Sequence, residues 1–437
     1  MRKVVLLTGL LLLEICPVSS QKVNEWTLAD CIEYAYKKNI TIRKDELVIR
    51  NRELNAVQAR AERYPSVGAT INQNFYWSKD AGGGFGFSGS NTTNYSLSSS
   101  LTLFGASRIT NSIKRANLDV QSGVLSLETA RESVSLEILN AYLQVLFAEE
   151  QVDNSVRQLE SIKAQVKLAE QRLSLKEISR ADFAQINSQL SSEKLTLANS
   201  LSQLAIEKIN LMQIMELPVT DSFKIAHPVL PALLNQERVP DANKIYETAL
   251  SIKPQVKSAS LNKEIAELSE KIARSAFYPV LAANAGIGTY YSGNVSGTYF
   301  GQTVDGLNPW AGFSLSIPVY QKKQVKTSVA LAKIGIEEAG LSETNTRNEL
   351  RKKIEQACQD VLSAQVEYEA SLESYNAYLA SSSLSDEKFR QGMINPVEYL
   401  VSRTNLITSE SQLLQSKYKL IFIYKILDFY SGAPLVF

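Results

Sequence analysis

Few side chains in this 437-residue sequence could do covalent or metal chemistry. The single histidine, His227, lies in Ala226-His227-Pro228, a connector where an imidazole reads as solvated rather than catalytic. The three cysteines are Cys16, Cys31 and Cys358. Cys31 and Cys358 fall at helical apolar-face positions, where buried thiols are the plainer reading, although an exported chain could join them in a disulfide. No phosphate loop, nucleophile elbow or metal-ligand spacing occurs. The acids are scattered along helical patterns. Two of them, Asp182 and Glu398, sit just inside helices that follow a turn, where the helix dipole favours a carboxylate by ~0.3–1 kcal/mol. The composition thus argues against an enzyme. Lys plus Arg number 46 and Asp plus Glu 45, which excludes a nucleic-acid binder working by bulk charge.

The elements that must position Asp182 and Glu398 follow from the organisation of the chain. Residues 1–20 read as a secretory signal peptide: Arg2 and Lys3 precede an apolar run from Val4 to Leu13, too short to span a membrane as a helix. Cleavage is expected before Gln21. Cys16 raises lipidation as an alternative, but bulky Ile15 precedes it where a small residue is wanted. No later stretch has ~18 consecutive apolar residues.

The remainder is a tandem repeat. Tyr64-Pro65 recurs as Tyr278-Pro279, and the same offset of 214 pairs Ala35 with Ala249. Further on the offset is 216, pairing Ala141 with Ala357 and Phe183 with Tyr399. The expected units are residues 21–217 and 241–431, joined by a Pro-rich connector at 218–240 and followed by a tail at 432–437. Each unit opens with a helix of ~35 residues, 28–63 and 241–276, ended by the Tyr-Pro pair. A strand pair follows, at 66–78 and 93–104 in the first unit and at 280–292 and 309–320 in the second. Their loops are rich in Gly, Ser and Asn. Next comes a long helix with a heptad seam, Ile113, Val120, Leu127, Val134, Ala141, Ala148 alternating with Val124, Arg131, Ile138, Val145. From about residue 109 to 176 it spans ~100 Å at ~1.5 Å per residue. Short turns near 176–182 and 390–398 return the chain as a second helix, with Ser179 and Asn395 as N-caps and Pro396 at the first helical position. Prolines are expected at strand starts, the second tip and the connector.

The strands carry the functional signal. They alternate Thr, Asn, Gln and Ser with apolar residues, and aromatics cluster at their outer ends and in their loops: Tyr76, Trp77, Tyr95, Tyr290, Tyr291 and Trp310, with Phe75, Tyr299 and Phe300 nearby. A transmembrane barrel has this pattern, lipid-facing apolar and lumen-facing polar with an aromatic girdle. Four strands cannot close a useful barrel, and lipid does not tolerate open edges. The chain must therefore oligomerise, and three copies would give twelve strands.

At this point the sequence resembles a TolC-type outer-membrane efflux protein, an outer membrane factor. The resemblance rests on Trp26-Thr-Leu-Ala-Asp-Cys-Ile-Glu-Tyr-Ala, the Tyr-Pro before each strand pair, Leu315-Ser-Ile-Pro-Val-Tyr, and the two turns, Arg172-Leu-Ser-Leu-Lys-Glu-Ile-Ser-Arg-Ala-Asp-Phe and Lys388-Phe-Arg-Gln-Gly-Met-Ile-Asn-Pro-Val-Glu-Tyr-Leu. It covers nearly all of the mature chain. It implies a mostly α fold with β: a long coiled-coil α-helical barrel in the periplasm plus a membrane β-barrel, four strands per protomer, as a homotrimer in the cell outer membrane. It also implies a periplasmic adaptor protein and an inner-membrane pump as partners, no catalytic activity and no cofactor.

By position, the resemblance makes two tips adaptor-docking: Lys176, Glu177, Ile178, Ser179 and Arg180, and Gly392, Met393, Ile394, Asn395 and Pro396. Lys176 stands where the family has a glycine, so that turn departs from the pattern. Three copies of Glu398 would form a carboxylate ring at the periplasmic mouth, repelling anions and attracting cations. Asp182 is its counterpart, with the first-turn role the better reading. The arginine latch of some members would fall at Ile394, so that latch is absent or rebuilt, and a second acidic ring would fall at Val401, so any constriction is weaker. Leu435-Val-Phe reads as a tail packed on the helices or left mobile. The competing reading is a periplasmic coiled-coil adaptor or structural spacer. The exported substrate and the pump class are not legible.

Overall fold

The computed structural model describes residues 25–79, 87–220, 223–228, 241–435 and 437. The expected signal peptide with Cys16, part of the first strand loop, and most of the expected connector fall outside these residues.

The element order runs through one plan twice. The first half holds α1 (Leu28–Lys38), α2 (Ile40–Ala61), β1 (Ser66–Lys79), β2 (Phe87–Phe104), α3 (Arg108–Ser174) and α4 (Arg180–Ile214). The second holds α5 (Ala242–Ile252), α6 (Pro254–Ser275), β3 (Val280–Ser292), α7 (Tyr299–Asp305), β4 (Asn308–Ser316), α8 (Gln324–Arg390) and α9 (Pro396–Tyr430). Repeat-related helices match in length: 11 residues in α1 and α5, 22 in α2 and α6, 67 in α3 and α8, 35 in α4 and α9. Left-handed residues match as well. Ala106 (φ 46°) and Ser107 (64°) correspond to Lys322 (45°) and Lys323 (64°), and Glu216 (56°) to Gly432 (84°).

The opening helix of each half departs from expectation. It is two helices, not one of ~35 residues. Asn39 breaks the first (φ −56°, ψ 131°). Its Oδ1 accepts from the Thr41 N–H at 2.8 Å, and its Nδ2 donates to the Ile214 carbonyl at 2.9 Å, so one side chain caps α2 and ties it to α4. Lys253 breaks the second (ψ 125°) because Pro254 follows it, and a residue before proline is driven out of the helical region. Pro254 therefore has a role that the expected proline distribution missed.

The helices bury narrow faces. Leu28, Cys31 and Ala35 give α1 one apolar stripe. Along α3 the seam is buried at Ile113, Leu127, Val134, Ile138, Ala141, Val145 and Ala148. It is interrupted at Val124, which is exposed, and at Arg131, whose guanidinium lies 3.5 Å from Glu46 and over the Tyr36 ring. Tyr142, 1% exposed, is a meeting point. Its hydroxyl donates to the Ala226 carbonyl at 2.6 Å and the Trp26 carbonyl at 3.2 Å, and its ring stacks on Phe437 at 6.2 Å. The tail is thus packed on the helices at Phe437. His227 is solvent-exposed, as expected, and its Nε2 also lies 3.1 Å from Glu149, which pairs with Lys208 at 2.8 Å.

The four strands form one antiparallel sheet in the order β1-β2-β3-β4. β2 begins six residues earlier than expected, and β4 ends at Ser316 ahead of Pro318. α7 occupies a loop expected to be irregular. Register places Val67, Ile71, Phe75, Trp77, Leu97, Leu101, Ile287, Phe313 and Leu315 on one face. Thr70, Asn72, Asn74, Asn94, Ser96, Ser98, Asn284 and Ser314 share the other. Lys79, at the outer end of β1, is the sole charge in the four strands. From Val67 to Trp77 the strand runs ~33 Å at ~3.3 Å per residue; tilted by ~40°, it stands ~25 Å tall, the height of a lipid-facing apolar band. No helix among the described residues is long and apolar enough to cross a membrane, so the sheet is the element with a membrane-matched face.

Cys31 and Cys358 are buried free thiols in two separate core clusters. Burial pushes the Cys31 thiol up to about 12, with Asp30 adding to the effect. Burial also raises Cys358. Neither is expected to react with a maleimide at pH 8 in the folded protein, and both are expected to react after denaturation. Mass spectrometry of the labelled chain checks this.

Candidate functional site

The candidate site is the pair of helical tips where α3 turns into α4 and α8 into α9. Both turns use one geometry. The Lys176 N–H donates to the Leu173 carbonyl at 3.0 Å and the Glu177 N–H to the Arg172 carbonyl at 2.9 Å. At the other tip, Gly392 donates to Phe389 at 3.1 Å and Met393 to Lys388 at 2.8 Å. This double bond pattern ends a helix through one left-handed residue. Gly392 adopts φ 73° at no steric cost, whereas Lys176 adopts 61° with a side chain. The departure from glycine changes the residue and leaves the turn intact.

The return helices are capped from the side. At α4, Asp182 Oδ2 accepts from the Ser179 N–H at 3.1 Å and hydroxyl at 2.8 Å, while the Asp182 N–H donates to Ser179 Oγ at 3.0 Å. Asp182 is therefore held in a capping box. At α9, the Glu398 N–H donates to Asn395 Oδ1 and Asn395 Nδ2 donates to Glu398 Oε1, both at 2.9 Å. Pro396 takes the first helical position. Glu398 is exposed on the protomer, and Asp182 is half-buried.

Nine of the ten expected tip residues divide; the side chain of Pro396 lies outside those described. Lys176, Glu177, Ser179, Arg180, Gly392, Met393 and Asn395 are exposed. Ile178 and Ile394 turn inward. They pack on a cluster of Leu159, Ile162, Ala169, Ile186, Phe389, Tyr399 and Leu400, which belongs to both hairpins. Phe389 and Tyr399 stack at 4.6 Å with 16° between their planes. Burial raises the Tyr399 phenol well above the usual tyrosine value, and its hydrogen bond to Asp386 adds to this.

Close to the tips, Arg172, Gln165 and Arg403 stitch the hairpins together, and the sequence alone did not single them out. Arg172 of α3 donates to the Phe389 carbonyl at 3.1 Å and to the Arg390 carbonyl, with its guanidinium 5.7 Å from the Phe389 ring. A cation there meets the negative end of α8. Gln165 donates to the Tyr399 hydroxyl, and Arg403 donates to Ser161 Oγ at 3.0 Å. The available signal was the basic residue in the last turn of α3, which reads equally as a cap for its own helix.

The aromatic girdle also divides. Trp77, Tyr95 and Tyr291 share the apolar face of the sheet, whereas Tyr76, Tyr290 and Trp310 stand on the polar face. Trp310 lies against Gly286, where a Cβ would come within 2.9 Å of the indole ring. Among the described residues no group of three or more His, Cys, Asp or Glu could hold a metal ion.

A sheet with one lipid-matched face, continuous with paired helical rods of ~100 Å, defines a class of protein: a membrane channel with a long helical extension. The chain belongs to the outer membrane efflux protein family, whose model matches residues 31–215 and 245–432. A membrane protein from Pseudomonas aeruginosa has a similar structure, with a TM-score of 0.78 at 16% identity over 93% of this chain and 90% of that one. The CmeC outer membrane channel of Campylobacter jejuni gives 0.77 at 16%, over 94% and 86%. The outer membrane protein VceC of Vibrio cholerae gives 0.76 at 14%, over 93% and 96%. No curated sequence matches the chain significantly. The protein is accordingly an outer-membrane efflux channel, its strands in the outer membrane and its helical part in the periplasm. Its family comprises transport channels, not enzymes.

Two substitutions test the tips. Lys176→Gly is expected to stabilise the first turn by about 0.5–1 kcal/mol, by removing the left-handed strain of a residue with a Cβ. Slower amide exchange at residues 174–179 reads it. Arg172→Ala is expected to cost about 1–3 kcal/mol, because charged donors to two helix-end carbonyls are lost. Faster exchange at residues 389–394, on the other hairpin, reads that.

Proposed function

We propose that three copies of this chain assemble into the exit duct of a tripartite efflux or secretion system. The observation that carries this reading is that, among the described residues, both edges of the sheet lack a further strand partner. β1 and β4 each pair with one neighbour, β2 and β3 respectively. Exposed edges are not stable in hydrocarbon. Joining β4 of one copy to β1 of the next closes twelve strands around a lumen lined mainly by Ser, Thr, Asn and Gly, with Tyr76, Tyr290 and Trp310 among them. The repeats at 21–217 and 241–431 then act as one protomer, each supplying half of its wall. Passage is passive, and no catalysis belongs to the reading.

The tips supply the docking surface for a periplasmic adaptor protein, which couples the duct to an inner-membrane pump. The exposed apolar Leu175, Met393 and Val397 favour this, since such side chains at a rim suit a protein partner. Three copies of Glu398 line the periplasmic mouth as a carboxylate ring. Its exposure on the protomer and its fixed position beside Asn395 support that role. Asp182 serves as a cap.

Two measurements test these statements. The purified protein is expected to need detergent and to migrate as a heat-labile trimer; a monomer recovered with the soluble periplasm would exclude the duct. In planar bilayers, Glu398→Ala is expected to weaken block by divalent cations. Unchanged block in a conducting trimer removes the ring and leaves the duct.

A further inference from the structure

The loop between β3 and β4 holds a folded element that the duct does not explain. α7 and the residues on either side, 293–307, carry one charge, Asp305. The helix is fixed to the sheet from one side. The Tyr299 ring lies 4.7 Å from Tyr291, and its hydroxyl is hydrogen-bonded to that of Tyr95. Thr289 Oγ1 donates to the Thr303 carbonyl at 2.6 Å, and Gln302 accepts from the Ser292 N–H at 2.9 Å. Tyr95, Thr289 and Tyr291 all stand on the apolar face, in register with Ile71, Leu97 and Ile287. α7 therefore lies against the apolar face of the sheet, not the polar one.

Its level is set by the same register. Tyr95 is opposite Ile71, six residues short of Trp77, which marks the outer end of the apolar band. α7 is thus beside the band, not beyond it. Phe300 and Val304 share one helical side, four residues apart, and are 79% and 63% exposed; Leu307 follows at 52%. Asp305 points elsewhere, at ~100° per residue around the helix. Beside Leu307, and lined also by Ile71, Tyr95, Leu97, Ile287 and Thr289, is a shallow hollow of about 270 Å³.

We infer that α7 is a lipid-contacting collar: Phe300, Val304 and Leu307 lie in the outer leaflet, and the hollow beside Leu307 takes an acyl chain. The inference rests on the proposed assignment of the apolar face to lipid, with which these side chains are continuous. Aromatic and aliphatic side chains on a short amphipathic helix, with its polar side turned away, suit the boundary between acyl chains and head groups. α7 contacts the two central strands, so it leaves both sheet edges free for neighbouring copies.

Site-directed spin labelling tests this on the full-length protein in dioleoylphosphatidylcholine vesicles. Nitroxides are placed at Phe300→Cys and Val304→Cys, with Ile71→Cys and Asn94→Cys as references for the two faces. The unsubstituted protein gives the background from Cys31 and Cys358. The oxygen-to-nickel-chelate collision ratio at 300 and 304 is expected to match that at 71 and to exceed that at 94, because oxygen partitions into hydrocarbon and the charged or polar chelate does not. Water-like ratios at 300 and 304, with 71 still lipid-like, overturn the collar and leave the sheet assignment standing. A water-like ratio at 71 overturns both.

Discussion

Hydrocarbon offers no partner to a peptide N–H or C=O. That single constraint organises the molecule. A chain that contributes one four-stranded sheet to a bilayer satisfies its inner ladder alone and leaves two rows of groups open. Their only low-cost partners are the matching rows of other copies. The sheet's alternation is the second half of the same constraint, because a closed ladder needs one face for lipid and one for water. Strands with no charge except Lys79, in a protein with 21% charged residues, have this division written into their composition.

The helices meet a different requirement. Rods of 67 residues have little core to share at any one height, so their packing is spread along the length in three clusters, two in the middle and one at the tips. The middle is crowded with irregular backbone. Asn39, Lys253 and the segment at Trp26 and Ile225 all interrupt regular structure there, and Tyr142 collects the backbone ends. Lys253 is the most costly of these groups, nearly fully buried. It is held by Glu132 at 3.1 Å and by the face of Phe429 at 3.2 Å. Burial lowers its pKa, and Glu132 opposes the shift. A buried cation of this kind tolerates little rearrangement of its neighbours, because an unpaired charge in the interior is strongly destabilising.

Much of this was legible in the residues, for physical reasons. Internal offsets of 214 and 216 give the two halves, and heptads give the rods, because long-range periodicity survives weak local signals. The breaks within the opening helices were less legible. Asn39 looks like an ordinary polar residue in a helical run, although Pro254 was a readable stop. α7 has too few residues for a periodic signal and sits among glycines that suggest a loop. Composition does not report facing, so in the sequence the girdle reads as one belt. Only the pairing of Ile287 with Pro309 and of Gly286 with Trp310 assigns Trp310 to the polar side. At the tips, the caps were readable from Ser179, Asp182 and Asn395. The Arg172 contact was not, since its acceptors are backbone carbonyls more than two hundred residues away.

Equal hairpins have a geometric corollary. Both outgoing helices count 67 residues and both returning helices 35, and Arg172 joins the two turns at one height. A hairpin longer by a single turn would stand ~5.4 Å proud of its neighbour. A ring of such unequal protomers would end in a crenellated rim, and a rigid partner would rest on alternate teeth. With equal lengths the rim is level. The tips are then free to differ in chemistry, lysine at one turn and glycine at the other, without changing the height of either turn.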